Sequence, residues 1–124
     1  MENNIAYIIE KINSISGQAP VKKTLQKMVY LLEEKGVDLG CEYVLHFYGP
    51  YCASLDSETA RLSSEGIIDF DYSGYGHKMK VNQDADVEPL LTEQQVKLVD
   101  EVIERYKNKS PSDLELLTTA ILCV

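Results

Sequence analysis

The sequence predicts a mainly α domain, of α+β class, in which about five helices accompany one small β-hairpin. Three observations carry this prediction. Apolar residues recur every three or four positions in five segments, glycine and proline mark the ends of most segments, and two alternating segments flank a glycine-rich turn. The length of 124 residues suits one domain with a single hydrophobic core.

Two amphipathic helices are predicted at the start of the chain. Over residues 3–16, isoleucines at steps of three and four form one apolar stripe, and Gly17 follows it. A second helix over 21–35 begins directly after Pro20 and ends at Gly36. Proline at a helix start and glycine after its end are typical boundary residues.

The segment after the second helix has a mixed pattern. Residues 37–50 combine Val, Tyr, Leu and Phe with glycines and end in the turn signal Gly49-Pro50. We expect an extended or irregular segment there, with a short strand over 42–48. A short third helix is predicted over 53–65, where apolar periodicity returns.

A β-hairpin is predicted next. Residues 67–72 and 77–82 alternate apolar and polar side chains around a glycine-containing turn. A short helix that leads directly into such a hairpin is the layout of a winged helix, with 53–65 as the reading helix and 72–77 as the wing. Roughly fifteen residues separate helices two and three, more than in an ordinary helix-turn-helix, so we expect a modified geometry.

Two further helices are predicted to complete the domain. Thr92 and Gln95 form the pattern of a capping box for the fourth helix, and the fifth follows a Ser-Pro-Ser break. We therefore expect one winged-helix-like domain over 1–124, with helices one to three and the wing in 1–88 and a helical pair in 89–124.

Charge and composition restrict the partners of the chain. A formal net charge of -8 disfavours nucleic acid as a partner, so DNA binding would need a local basic face. The apolar runs are too short to span a bilayer, and the charged start does not resemble a signal peptide. Three cysteines without close spacing indicate reduced thiols, and we expect a cytoplasmic protein that does not bind membranes.

The sequence predicts no catalytic, cofactor-binding or metal-binding residue. His46 and His77 have no metal-ligand partners at helical spacing, although Cys41 lies five residues before His46. Cys52 follows Gly-Pro near a helix start, where a helix dipole could activate a thiolate. We favour the alternative interpretation of Cys52 as a small buried side chain.

Several short motifs together resemble the Panacea family, also described as SocA-like or phage-associated proteins. They are a Leu-Gln-Lys-x-x-Tyr pattern within 23–30, Tyr-Gly-Pro at 48–50, Leu-x-x-x-Gly-Ile at 62–67, and Ser-Asp-Leu-Glu leading to Thr-Thr over 112–119. The resemblance implies a small helical, winged-helix-like domain, common in prophages and mobile elements. Its members include toxin-neutralising antitoxins and an adaptor that delivers a toxin to a protease.

We therefore expect a non-catalytic module that binds a protein, either a toxin or a protease component. The alternative is a winged-helix transcriptional regulator that binds DNA through lysines near the second helix and the hairpin. Gln26 and Lys27 keep the family pattern and are expected to face away from the apolar stripe. The candidate partner-binding residues are Lys22, Lys23, Gln26, Lys27, Tyr48, Tyr51, Arg61, Lys78 and Lys80.

The apolar C-terminal tail over 120–124 has two interpretations. It could be buried across the two-fold axis of a homodimer, or it could complete the core of a monomer. The sequence does not discriminate between them.

Overall fold

The structure is a computed structural model, and it describes residues 4–46, 49–74 and 76–122. Within these ranges it contains five α-helices and two small antiparallel strand pairs, which confirms the mainly α prediction. In chain order the elements are α1 (Asn4–Ser16), α2 (Lys22–Glu34), β1 (Val44–His46), β2 (Gly49–Tyr51), α3 (Ala53–Ser64), β3 (Ile68–Asp71), β4 (Lys78–Val81), α4 (Glu93–Tyr106) and α5 (Pro111–Leu122).

The first strand pair differs from the sequence prediction. β1 begins at Val44, two residues later than the expected strand, and residues 47 and 48 of the expected strand lie outside the described residues. β1 pairs with a second strand that places Leu45 opposite Pro50 and Val44 opposite Tyr51. The Gly49-Pro50 step therefore lies in a strand and not in a turn. Proline is tolerated there because β2 pairs with only one strand, so the missing N–H breaks no second ladder.

The second strand pair confirms the predicted hairpin and is joined to the start of α2. β3 and β4 pair in the register Ile68 opposite Val81 and Phe70 opposite Met79. On its other edge β4 forms a bridge to the residue before α2, and Met79 N donates to Pro20 O at 2.8 Å. The hairpin and the first turn of α2 are thus held side by side.

The hydrophobic core lies between α1, α2, α4 and the inner face of the hairpin. α1 contributes Ile5, Ile8, Ile9 and Ile12, each at most 2% exposed, and it packs against α4 and β4. α2 packs against α4, α5 and β2. Because α2 is covered on several sides, the eight consecutive residues from 25 to 32 are all buried.

None of the helices in the described ranges is sufficiently long and apolar to cross a membrane.

The start of α4 confirms the predicted capping box. Gln95 N donates to Thr92 Oγ1 at 3.1 Å, and Thr92 N donates to Gln95 Oε1 at 3.0 Å. Thr92→Ala removes the acceptor of the first bond, so we expect the free energy of unfolding to fall by about 1 kcal/mol. Urea denaturation measures this change. Gln94→Ala, at the neighbouring exposed position outside the box, is the control, and an equal loss in both variants would contradict the prediction.

Candidate functional site

The structure separates the predicted partner-binding residues into four places. Gln26 and Lys27 lie in the interior, Tyr51 lies where β2 meets α3, and Arg61 lies on α3. Lys22, Lys23, Lys78 and Lys80 lie on α2 and β4, whereas Tyr48 falls outside the described residues.

Gln26 and Lys27 are buried, with exposures of 4% and 2%. Both side chains lie away from the apolar stripe of α2, as the helical pattern predicts, but that side of the helix is also buried and does not face solvent. β2 and α5 cover the side of α2 that the helical pattern assigns to solvent. A polar side chain in such a place needs internal hydrogen-bond partners, and both residues have them.

The side-chain amide of Gln26 forms two hydrogen bonds with the backbone of Cys52. Its Nε2 donates to Cys52 O at 2.9 Å, and Cys52 N donates to its Oε1 at 2.9 Å. Cys52 is the residue before α3, and its own side chain provides no cap to that helix. The Gln26 amide thus holds the start of α3 against α2.

Lys27 completes the same contact one residue further along α2. Its Nζ donates to Pro50 O at 2.8 Å. Gly49 has a φ of 87°, and a Cβ on it would overlap Thr119 Oγ1 of α5 and lie 3.5 Å from Glu115 O. We call Gln26, Lys27 and the backbone of residues 49–52 the polar joint, because their hydrogen bonds fasten α2 to β2 and to the start of α3.

Burial affects the pKa of Lys27 and gives a pH-dependent prediction. Desolvation lowers the pKa of Lys27 below its ordinary 10.5, and Lys23 lowers it further, while Glu115 opposes them. The unfolded chain then binds a proton more tightly than the folded chain, so the contribution of Lys27 to stability rises as pH rises from the lowered pKa towards 10.5.

We therefore expect the wild type to gain stability relative to Lys27→Met over the alkaline range that ends at the ordinary lysine pKa of 10.5. Urea titrations of both proteins at several pH values measure this difference. The comparison cancels the other titrating groups, which both proteins share. A difference that is constant over this range, or that changes with the opposite sign, would contradict the prediction.

Tyr51 and Arg61 are engaged with acidic residues of α3. Tyr51 Oη donates to Asp56 Oδ2 at 2.5 Å, and this hydrogen bond raises the pKa of the phenol. Arg61 pairs with Glu58, at 2.6 Å from Nε to Oε1, and with Glu65. The only basic residue of α3 is thus neutralised by carboxylates of the same segment, which is unfavourable for a helix that reads DNA.

The bridge between Val21 and Lys78 places Lys78 of β4 beside the first turn of α2, which carries Lys22 and Lys23. Lys22 is exposed, and its Nζ lies 5.4 Å from the centroid of the Phe70 ring. Lys23 Nζ lies 3.5 Å from Glu115 Oε2. Lys80 lies opposite Asp69 in the hairpin, on the outer face.

An aromatic cluster on the hairpin was not predicted from the sequence. Tyr72 and His77 lie 4.4 Å apart between ring centroids, and Phe70 lies 6.0 Å from Tyr72 and 6.4 Å from His77. The cross-strand register was the available signal, because residues opposite each other share one face. We call Lys22, Lys23, Phe70, Tyr72 and His77 the wing surface.

The described residues offer little to metal or thiol chemistry. In those ranges no group of three or more His, Cys, Asp or Glu residues could hold a metal ion. Cys52 is fully buried, with Sγ 3.0 Å from Ser54 Oγ, which agrees with its interpretation as a core residue. Burial raises the pKa of the Cys41 thiol, which keeps it protonated at neutral pH.

Comparison with known proteins assigns the family. The family model described as "Antitoxin SocA-like, Panacea domain" matches residues 25–120, which include the polar joint and most of the wing surface. The Bacillus subtilis (strain 168) protein "Uncharacterized protein YwgA" is 34% identical over 58 residues, which are 47% of this chain and 35% of that protein. The chain thus matches about a third of the length of this relative. No solved structure matches the chain. Since the family model covers more than half of the sequence, the chain belongs to the SocA-like antitoxin family that is defined by the Panacea domain.

Proposed function

We propose that the chain is a non-catalytic protein-binding module that acts as an antitoxin or adaptor for a toxin or a protease component. The match of residues 25–120 to the SocA-like antitoxin model carries this proposal. The expected prophage origin and cytoplasmic location belong to the same proposal.

The placement of the family-pattern residues supports this interpretation. Gln26 and Lys27 are buried and contact backbone, so their roles in the fold are structural. Binding then depends on exposed side chains that the rigid scaffold presents. Val44 and Leu45, each 61% exposed on β1, and Tyr72, 67% exposed on the hairpin, are large apolar or aromatic side chains of the kind enriched in protein interfaces.

Co-expression tests the proposal directly. The tagged chain is expressed with the products of the genes that neighbour its own, and growth and co-elution are measured together. We expect one product to elute in a stoichiometric complex with the chain, and we expect the chain to restore growth where that product alone is toxic. If none of the products co-elutes and growth is unaffected, the proposal fails.

A winged-helix regulator is the second candidate, favoured by the lysines gathered around the Val21–Lys78 bridge. The acidic charge of α3 and of the residue that follows it opposes this candidate, as Asp56, Glu58 and Glu65 outnumber Arg61. We expect no salt-sensitive retardation of a fragment from its own promoter region. Retardation that weakens steeply with added salt would favour the regulator.

The oligomeric state remains a prediction. The outer side of α5 carries Leu116, which is 72% exposed, and the exposed Ala120. These side chains suit the homodimer alternative, which light scattering over a range of protein concentrations would measure. A mass that stays monomeric throughout would reject it.

A further inference from the structure

We infer that the wing surface is a docking site for an acidic segment of a protein partner. The inference rests on the proposed function and names the surface and the partner chemistry that this function would use. Charge complementarity, aromatic exposure and the shape of the surface support it.

The aromatic cluster forms a ridge at the end of the hairpin. Phe70 and Met79 share the inner face of the hairpin with the core, and the rings of Tyr72 and His77 extend that face beyond it. Tyr72 is 67% exposed although its ring is large and mostly apolar. Tyrosine in such a place is typical of binding hot spots, because it loses little conformational entropy on binding.

Two shallow clefts border this ridge, and Lys22 lines both. The first, of about 320 Å³, also includes Phe70 and Tyr72 in its lining. The second, of about 550 Å³, includes Lys23 and His77. The described residues that line either cleft include no aspartate or glutamate, although the whole chain has 20 acidic residues. An otherwise acidic protein therefore has a local basic and aromatic surface.

The basic surface continues into a third cleft, of about 480 Å³, which shares Val21 and Pro111 with the second. Lys78, Lys107 and Lys109 line it, with no acidic residue in the described lining, although Lys107 pairs with Glu104 outside the cleft. An extended segment that lies across the ridge could thus meet lysines along its whole length.

The two lysines at the start of α2 are unfavourable for the isolated chain. Lys22 and Lys23 occupy the first turn, where the helix dipole favours negative charge, and Val21 provides no side-chain cap. By contrast, α3, α4 and α5 each have an acidic residue in the first turn. Glu115 already pairs with Lys23, so a carboxylate from a partner would chiefly compensate the charge of Lys22.

The charges around the wing surface favour an acidic peptide over nucleic acid. Asp69 and Asp71 lie on the outer face of the same hairpin, Glu58 lies on α3, and Glu65 directly follows Ser64 of the first cleft. A duplex extends beyond the basic surface and would bring its phosphates within the screening length of about 8 to 10 Å of these carboxylates. A short acidic segment fits on the basic surface alone.

The first test uses the purified full chain and a fluorescein-labelled octaglutamate peptide. We expect the peptide to shift the amide resonances of Lys22, Tyr72 and His77. We expect Lys22→Glu and Tyr72→Ala each to weaken binding about tenfold. Lys35→Glu is the matched control, because it makes the same change of net charge at the opposite end of α2, and its binding should stay within about twofold of the wild type.

Equal weakening by Lys22→Glu and Lys35→Glu would overturn the inference, since net charge alone would then explain the binding. Duplex DNA that binds this surface more tightly than the peptide would also overturn it, in favour of nucleic acid. The side chains of Lys22 and Lys35 are both exposed, so neither substitution should disturb the core. An unchanged melting temperature in each variant would show that folding is intact.

A second test separates this inference from the proposed function. The co-eluting partner is measured against wild type, Lys22→Glu and Lys35→Glu. Selective loss with Lys22→Glu would support the docking site. Equal binding to all three would overturn the docking site and leave the proposed function standing, whereas a wild type that captures no partner would overturn the proposed function itself.

Discussion

Gly49→Ala is expected to lower the free energy of unfolding by about 3 kcal/mol, for two reasons that add. The residue has a φ of 87°, a left-handed conformation that is unfavourable for any residue with a Cβ. The added methyl group would also overlap Thr119 Oγ1 and press on α5 near Lys27 Nζ. β2 would have to move away from α5, and the bond from Lys27 to Pro50 O would be strained.

The chain offers a close control for this prediction. Gly66 has a φ of 75°, and a Cβ on it would meet no atom within 4 Å. Gly66→Ala therefore carries the conformational cost alone, about 1 kcal/mol. Thermal and urea denaturation of both variants measure the difference, and we expect the melting temperature to fall by about 10 °C for Gly49→Ala. Equal losses would show that α5 does not press on Gly49.

Gln26→Ala is expected to cost about 3 kcal/mol, through a different mechanism. The substitution removes both hydrogen bonds to Cys52 and leaves the backbone N–H of Cys52 buried without a partner. It also removes packing volume in the interior and the 3.3 Å contact with Asp56 Oδ1. The start of α3 would then be held to α2 only by apolar packing and by the neighbouring bond from Lys27 to Pro50 O.

Hydrogen exchange resolves where this loss occurs. We expect the amide of Cys52 and the first turn of α3 to exchange faster in Gln26→Ala, beyond the change caused by lower global stability. Gln94→Ala, an exposed glutamine on α4, should leave both exchange and unfolding nearly unchanged. Loss of stability below about 1 kcal/mol in Gln26→Ala would contradict the role of the amide in the polar joint.

The helices were predictable because their information is local. The isoleucine stripe of α1 and the capping box of Thr92 and Gln95 each depend on residues within one or two turns of one helix. The hairpin of β3 and β4 is local in the same sense, because a glycine-containing turn joins its strands. The family motifs are also short segments whose order can be recognised without coordinates.

The polar joint shows why the candidate site was only partly predictable. Gln26 and Lys27 resemble surface residues in a helical pattern, since neither is apolar and neither is on the main stripe. Their partners lie 23 to 26 residues away in the chain, in a segment with no strong periodicity. Which side of a helix is covered by another element depends on the whole fold, and a pattern within the helix does not reveal it.

The sequence alone determined the helical architecture, the hairpin, the acidic net charge and the Panacea-type motifs, because each is encoded in composition or in neighbouring residues. The tertiary structure decided that two of those motif residues fasten α2 to β2 and α3 and are not exposed. It also brought Lys22 of α2 next to Phe70 of the hairpin, at 5.4 Å from Nζ to the ring centroid. Such contacts depend on how separate elements pack against one core, and a pattern within a single element does not contain that information.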